Sequence, residues 1–264
     1  MQTFLRLAES CGRNIRRWMT IEEACVAEDG FRFVTPPHHL PGAPAPALPL
    51  LRHETSLVPA AWLQESLTTF ARTVASFLPG HFAAYARLHH PFHIGGTAPV
   101  PPVTWRELAA RHGHDLRDMA TAAAFAYRGV PNAQAFPGSM PLAVIDVLLE
   151  HLGPATRTPE LCYFAEWVGF GGSPVPYDLE PLLRLPHREY HLFSGPLAAA
   201  HTSYGGIPFH HQSANLWWPA DHAWCVATEV DHAWSYVGGP GPCVAAILAD
   251  PRLDVVATAA AERW

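Results

Sequence analysis

The sequence predicts an α+β domain in which a mixed, mostly antiparallel sheet is flanked by helices. Two observations predict this class. Helix-like patterns concentrate in the middle of the chain and strand-like patterns in its C-terminal part, with no internal repeat of the βαβ kind. The chain also has 264 residues, of which 49% are hydrophobic, which is enough to bury a sizeable core.

Proline spacing divides the chain. Residues 35–50 contain six prolines at intervals that exclude both a helix and a sheet interior, so this segment is predicted to be an extended linker. Residues 1–34 then form an N-terminal appendage, with a brief strand near its end. Residues 51–264 form the single α+β domain.

Helices are predicted from apolar periodicity and from capping residues. Residues 61–78 give the clearest pattern, because apolar side chains recur there at alternating steps of four and three. Thr104 and Glu107 form a capping box that opens a helix at Trp105. Ser139, as a helix cap followed by Pro141, predicts the start of another helix.

Strands and one closing helix complete the prediction. Residues 224–230 and 234–237 read as a hairpin that turns at residues 231–233. A short helix follows at residues 243–248. The other predicted strands are residues 81–93, 161–170, 188–194 and 253–256.

Composition restricts the partners. The net charge is −6 and only 15% of residues are charged, so no basic face is expected and nucleic acid is an unlikely class of partner. No apolar run approaches the roughly 20 residues of a membrane span. Five widely spaced cysteines and the absence of a signal-like apolar segment favour a reducing cytoplasm.

Histidine is unusually abundant. Protonating all 17 histidines would change the formal charge from −6 to −6 + 17 = +11 over the pH range in which imidazole titrates. Acid is therefore expected to destabilise or switch the protein if many of these rings are buried.

The densest stretch of aromatic and ionisable residues is 217–239, which holds four of the nine tryptophans. We expect part of it to line an aromatic and acidic groove, since an indole N–H needs a hydrogen-bond partner and several indoles are difficult to bury at once. Glu229 and Asp231 share a strand face, so covering them would raise one pKa, whereas a position at the hairpin end would leave them solvated. The predicted groove residues are Trp217, Trp218, Asp221, Trp224, Glu229 and Asp231.

A metal site is the alternative. His90 and His93, with His210 and His211, could hold a divalent ion such as zinc together with one of the nearby aspartates. The helical H-E-x-x-H spacing is absent, so these residues could equally be loop histidines. No cofactor is expected if the first interpretation holds.

Other candidates have simpler explanations. Glu166 lies within an apolar strand and needs a partner such as Arg188 or a histidine, which favours a structural ion pair over catalysis. No G-x-S-x-G elbow is present, and Cys162 and Cys225 lie in apolar strands where thiols are usually inert.

Several segments resemble an actinobacterial protein family of unknown function. The likeness covers residues 60–256 and is carried by FAAYARLHHP, LCYFAEWVGFGG, REYHLFSG and WWPADHAWCVATEVDHAWSYVGG. It implies a soluble cytoplasmic protein and no particular activity. The positions that carry the pattern are His90, Trp167, Asp221, Trp224, Glu229, Asp231 and Gly238.

Three functional hypotheses follow. The first is a non-enzymatic interaction or ligand-binding protein that uses the aromatic and acidic groove for a protein partner or a small molecule. The second is a metal-assisted hydrolase in which a histidine and an aspartate hold an ion that activates water. The third is a structural subunit whose tryptophans are buried against a second copy in a homo-oligomer.

Overall fold

The computed structural model describes residues 48, 50–91, 104–113, 116, 137–171, 173–186, 188–205 and 211–263. Four two-residue strands outside or beside these ranges are described by their backbone only, β1 (Cys25–Val26), β2 (Arg32–Phe33), β5 (His93–Ile94) and β6 (Ala133–Gln134). Nearly all of the predicted appendage and linker lies outside the described residues.

The fold is α+β, as the sequence predicts, and the described residues form one nine-stranded sheet and four α-helices. The helices are α1 (Ala61–Ser66), α2 (Trp105–His112), α3 (Leu142–Leu152) and α4 (Gly241–Ala249). The sheet strands are β3 (Arg52–His53), β4 (Ala84–His89), β7 (Cys162–Trp167), β8 (Leu182–Leu185), β9 (Arg188–Gly195), β10 (Leu216–Pro219), β11 (Cys225–Thr228), β12 (Trp234–Gly239) and β13 (Val255–Thr258).

The sheet is antiparallel in every described pairing, which is simpler than the mixed sheet expected. Its order is β13-β4-β12-β11-β10-β7-β9-β3, and β8 also pairs with β9. The predicted hairpin is confirmed, since β11 and β12 pair with Val226 opposite Val237. The turn between them is closed by the His232 amide, which donates to the Glu229 carbonyl.

Two apolar layers cover the sheet. On one face, which we call the helix face, Phe164, Trp217 and Val226 pack against α3 and α4. On the other, the loop face, Trp218 and Tyr236 pack against α1 and the segment that follows it. Strand residues alternate between the two faces, so neighbours in the sequence enter different layers.

The predicted helix over 61–78 is wrong in length, because α1 ends at Ser66. Arg72 has a φ of 55°, which interrupts any helix. Thr73 and Ser76 then form a capping box that opens a separate 3-10 turn. The apolar residues Val74 and Phe77 are still buried on the loop face, so their periodicity reports burial and not one continuous helix.

The capping predictions have mixed outcomes. The Thr104 hydroxyl accepts from the Glu107 amide and Glu107 reaches back, as expected for α2. Ser139 does not cap α3, which begins after Pro141. Its hydroxyl instead donates to the His211 carbonyl, so Ser139 joins two loops.

Gly238 and Gly138 are required by close packing. A Cβ at Gly238 would lie 2.5 Å from the Phe82 ring, and one at Gly138 would lie 2.7 Å from the Val230 carbonyl oxygen. Gly138 also has a φ of 77°, which favours glycine. Gly238 in the family-like pattern is therefore explained by packing alone.

Within the described residues, no helix has the length and apolar character needed to cross a bilayer.

Candidate functional site

The three tryptophans predicted to line a groove are interior. Trp217, Trp218 and Trp224 are 2%, 0% and 0% exposed. Trp217 and Trp224 pack together on the helix face, where the Trp224 indole N–H donates to the Leu152 carbonyl at 3.0 Å. Trp218 lies on the loop face, in edge contact with Trp62. Strand alternation separates the pair at 217 and 218, so these residues do not form one surface.

Asp221 serves its own loop. Its carboxylate accepts from the Thr156 hydroxyl at 2.8 Å and from the backbone amides of Arg157 and Ala223 at 2.8 and 3.2 Å. Burial alone would raise the pKa of Asp221, but these donors hold it below its ordinary value. This carboxylate fixes a turn, and it is not brought together with Glu229 or Asp231.

Glu229 and Asp231 are brought together by Arg188. One guanidinium nitrogen of Arg188 donates to Glu229 Oε1 at 2.5 Å and to Asp231 Oδ2 at 3.0 Å. The Glu229 side chain is 5% exposed and that of Asp231 is 80% exposed. The arginine therefore joins a buried carboxylate to a solvated one, so one member of the pair is covered and the other is exposed at the hairpin turn.

Trp167 completes this cluster, which we call the Arg188 site: Trp167, Arg188, Glu229 and Asp231. The Arg188 guanidinium carbon lies 5.4 Å from the centroid of the half-buried Trp167 ring, within cation–π range. Arg188 and Tyr190 face the loop side because β9 alternates, and the two carboxylates follow β11 at the same end of the sheet. The sequence pattern indicated this alternation, but it could not show that only β10 and β7 lie between β9 and β11 in the sheet.

Two hollows meet at Arg188. The inner one, of about 360 Å³ including the solvent at its mouth, is lined by Phe70, Tyr190 and Glu229 among others. It has interior room for a water molecule and not for a larger ligand. The outer one is a shallow depression over Trp167, bordered by Arg184 and Glu189, with a volume of about 730 Å³ that includes open solvent.

The histidines proposed as metal ligands do not converge within the described residues. His90 is buried, and its Nε2 lies 2.8 Å from Ser235 Oγ, which in turn lies 2.7 Å from Thr228 Oγ. His211 lies in the loop that Ser139 contacts. The side chain of His93 and all of His210 fall outside the description. Among the residues that are described, no group of three or more potential metal ligands is present.

Neither a family model, nor a curated protein, nor a solved structure matches this chain. Function therefore has to be inferred from the chemistry of its own residues.

Glu166 is a second chemically unusual group, on the helix face. It is fully buried, and burial raises its pKa to about 8, with the Ser173 hydroxyl as a weaker opposing influence. The partner expected for it, Arg188, is on the opposite face of the sheet and is held by other carboxylates. The predicted ion pair is therefore wrong for Arg188.

The two cysteines that the sequence places in apolar strands are interior. Cys162 and Cys225 are buried, and burial raises the pKa of Cys162 to about 12 and that of Cys225 further. Thiols that remain protonated at neutral pH are poor nucleophiles.

Proposed function

We propose that this protein is a binding protein that recognises a cationic group of a protein partner or small molecule at the Arg188 site. The observation that carries the proposal is the bridge from Arg188 to both Glu229 and Asp231, beside an aromatic ring and at the junction of two hollows. Packing alone does not require a charged cluster of this kind, because an apolar set of the same shape would avoid its desolvation cost.

Charge favours a cationic ligand. Arg188 faces two carboxylates, which leaves one excess negative charge. Arg184, on the rim, also faces two, Glu180 and Glu189, and leaves a second. Asp231 is mostly exposed, and a carboxylate can accept more than the one hydrogen bond that Arg188 donates to it. An anionic ligand would meet excess negative charge.

Shape favours recognition at the surface. The outer hollow is open and has the Trp167 ring in its lining, so a guanidinium or ammonium group could lie over the ring while a carboxylate accepts its hydrogens. The inner hollow, which is too small for such a group, can retain water against Glu229. The function supported in this way is non-enzymatic binding.

The test is a titration followed through the Trp167 indole N–H resonance, assigned by its loss in Trp167→Phe. N-acetyl-argininamide should shift this resonance saturably, and the uncharged analogue N-acetyl-glutaminamide should not. Asp231→Asn should weaken the binding of the cationic probe by about fivefold, the scale of one exposed charge contact.

Glu150→Gln is the matched control, since Glu150 is also an exposed carboxylate paired with an arginine, Arg252, elsewhere on the surface. It should leave the titration unchanged. Equal binding of the cationic and uncharged probes, or an equal loss in Glu150→Gln and Asp231→Asn, would refute the proposal.

A further inference from the structure

The helix face of the sheet becomes polar at the end beyond the apolar core. His191, Glu166, Thr228, Ser235 and His90 lie there on or next to β9, β7, β11, β12 and β4, and each is at most 2% exposed. We call these five residues the buried polar row. A run of polar groups this deep needs hydrogen-bond partners, because each unmet group costs free energy.

In one half of the row, three side chains are hydrogen-bonded to one another. Ser235 Oγ is within hydrogen-bond distance of both Thr228 Oγ and His90 Nε2, so Ser235 links the other two side chains. Asn215, between the two halves, also has partners: its Oδ1 accepts from the Trp167 amide and its Nδ2 donates to the Thr228 carbonyl.

The other half is not satisfied. Neither oxygen of Glu166 has a hydrogen-bond partner in the described structure, and the same is true of the hydroxyl of Tyr204, which is 1% exposed. The two groups are close enough for the Glu166 charge to influence the tyrosine. His191 is directly opposite Glu166 in the β7–β9 pairing, on the same face. Glu166 thus has His191 across from it and Tyr204 near it, and neither its oxygens nor the Tyr204 hydroxyl has a hydrogen-bond partner among the described residues.

The described groups around Glu166 are His191 across the strand pair and the hydroxyl groups of Ser173 and Tyr204. Burial lowers the pKa of His191 to about 4, and its Nδ1 lies 3.2 Å from the Leu179 carbonyl. Because a carbonyl only accepts, the neutral ring carries its hydrogen on Nδ1 and leaves Nε2 as an acceptor. The hydroxyls of Ser173 and Tyr204 lie near enough to Glu166 to interact with it electrostatically, but neither makes a hydrogen bond to its oxygens. His53, whose pKa burial also lowers, lies near His191, as do the carboxylates Glu180 and Asp178.

From this arrangement we propose that Glu166, His191 and Tyr204 form an internal binding site for an uncharged group that both donates and accepts hydrogen bonds, such as a carboxamide. The protonated carboxyl offers one donor and one acceptor, the imidazole offers an acceptor and the phenol offers either. An anion would find no cation to offset it among the described neighbours of Glu166. A cation would bind favourably only after the Glu166 carboxyl had lost its proton.

This site is independent of the Arg188 site, since the two lie on opposite faces of the sheet. Failure of one proposal leaves the other intact, because the Trp167 titration does not involve Glu166 and the experiment here does not involve Asp231.

The experiment uses the full chain and the uncharged reagent N,N′-diisopropylcarbodiimide at pH 6.5, with the modified peptides identified by mass spectrometry. In this reaction the carboxyl proton passes to a carbodiimide nitrogen and the carboxyl oxygen bonds to the central carbon. Glu166 should be modified at least roughly tenfold faster than Glu54, since the reaction requires the protonated acid. Glu54 is the matched control because it is also buried but accepts hydrogen bonds from Arg52 and Ser194. Glu166→Gln should abolish the modification.

Competing probes then establish the chemical class. Acetamide should slow the modification of Glu166 severalfold, whereas tetramethylammonium chloride at the same concentration should not. Tyr204→Phe, which keeps the ring and removes the hydroxyl, should reduce the effect of acetamide while leaving the modification itself intact. The proposal is overturned if Glu166 is not modified in the folded protein, if neither probe slows the reaction, or if the cation slows it more than acetamide does.

Discussion

Replacing Glu166 by glutamine should make the stability of the protein less dependent on pH, so the stability of the variant relative to the wild type should rise with pH. The carboxyl is fully buried and burial raises its pKa to about 8 from an ordinary value of 4.5. In the unfolded chain the same group ionises near its ordinary value. The folded state therefore holds a proton that the unfolded state releases between pH 4.5 and pH 8, so stability falls as the pH rises through this window. Glutamine has nearly the same shape and no proton to release.

The size of the effect follows from the two pKa values. Each unit of pH within the window costs about 1.4 kcal/mol, so the stability of the wild-type protein should fall by about 3–4 kcal/mol from pH 5 to pH 8 through this group alone. The glutamine side chain, like the acid it replaces, has unmet hydrogen bonds, which cost about 1–3 kcal/mol at every pH. The quantity to measure is therefore the difference between variant and wild type, which should rise by about 3 kcal/mol over the same range.

Urea unfolding followed by tryptophan fluorescence at pH 5, 6, 7 and 8 gives this difference, provided that the dependence on urea is the same for both proteins. The buried histidines change the stability of both proteins with pH in the same way, so their contribution largely cancels in the difference. Glu54→Gln is the control, because Glu54 accepts hydrogen bonds from Arg52 and Ser194 and its loss should reduce stability at all four pH values. If the difference for Glu166→Gln changes by less than about 0.5 kcal/mol from pH 5 to pH 8, the carboxyl is not held protonated and the reasoning fails.

Three further outcomes are expected. Acid should destabilise the protein: burial lowers the pKa of His191 and His232 to about 4, below the 6.5 of the unfolded state, so their contribution is complete above pH 6.5 and is lost as the pH falls toward 4, by up to roughly 3 kcal/mol each. His232→Phe should remove its share from the pH dependence of the urea midpoint. Arg188→Met should cost about 3–5 kcal/mol by leaving Glu229 buried without its cation, and adding Glu229→Met should recover most of that loss in a double-mutant cycle. Asp221→Ala should cost about 1–2 kcal/mol in urea unfolding, because three hydrogen bonds to its carboxylate are lost, and should leave the binding of N-acetyl-argininamide unchanged.

The sequence predicted the fold class and most elements because local patterns determine them. The Thr104 and Glu107 capping box, the hairpin around residues 231–233 and the strand at Glu166 all depend on residues a few positions apart. The helix over 61–78 failed because the same apolar spacing can be buried by a short helix and a separate turn. Arg72 and Thr73 supplied the interruption through their backbone conformation and hydrogen bonding, which periodicity does not report.

The groove was predicted from composition, and composition does not determine which face a residue takes. Trp217 and Trp218 are adjacent in the sequence, so the pleat of β10 sends them into different layers, each covered by its own apolar cluster. The loop-face cluster that covers Trp218 includes α1 and the segment after it, which are far from residue 218 in the sequence. Nothing local to 217–239 could show that both faces are covered.

Strand pairing explains why Glu166 was assigned the wrong partner. Arg188 and Glu166 belong to adjacent strands, and a pairing between them is reasonable from the sequence. In the observed register Glu166 is opposite His191, three residues from Arg188, and an odd offset places the two side chains on opposite faces. Arg188 therefore meets the carboxylates that follow β11, and Glu166 meets neutral groups. The same offset that assembles a charged site on the loop face leaves an uncharged acid on the helix face. A shift of the pairing by one residue would reverse the faces of one strand relative to the other and would place Arg188 and Glu166 on the same face.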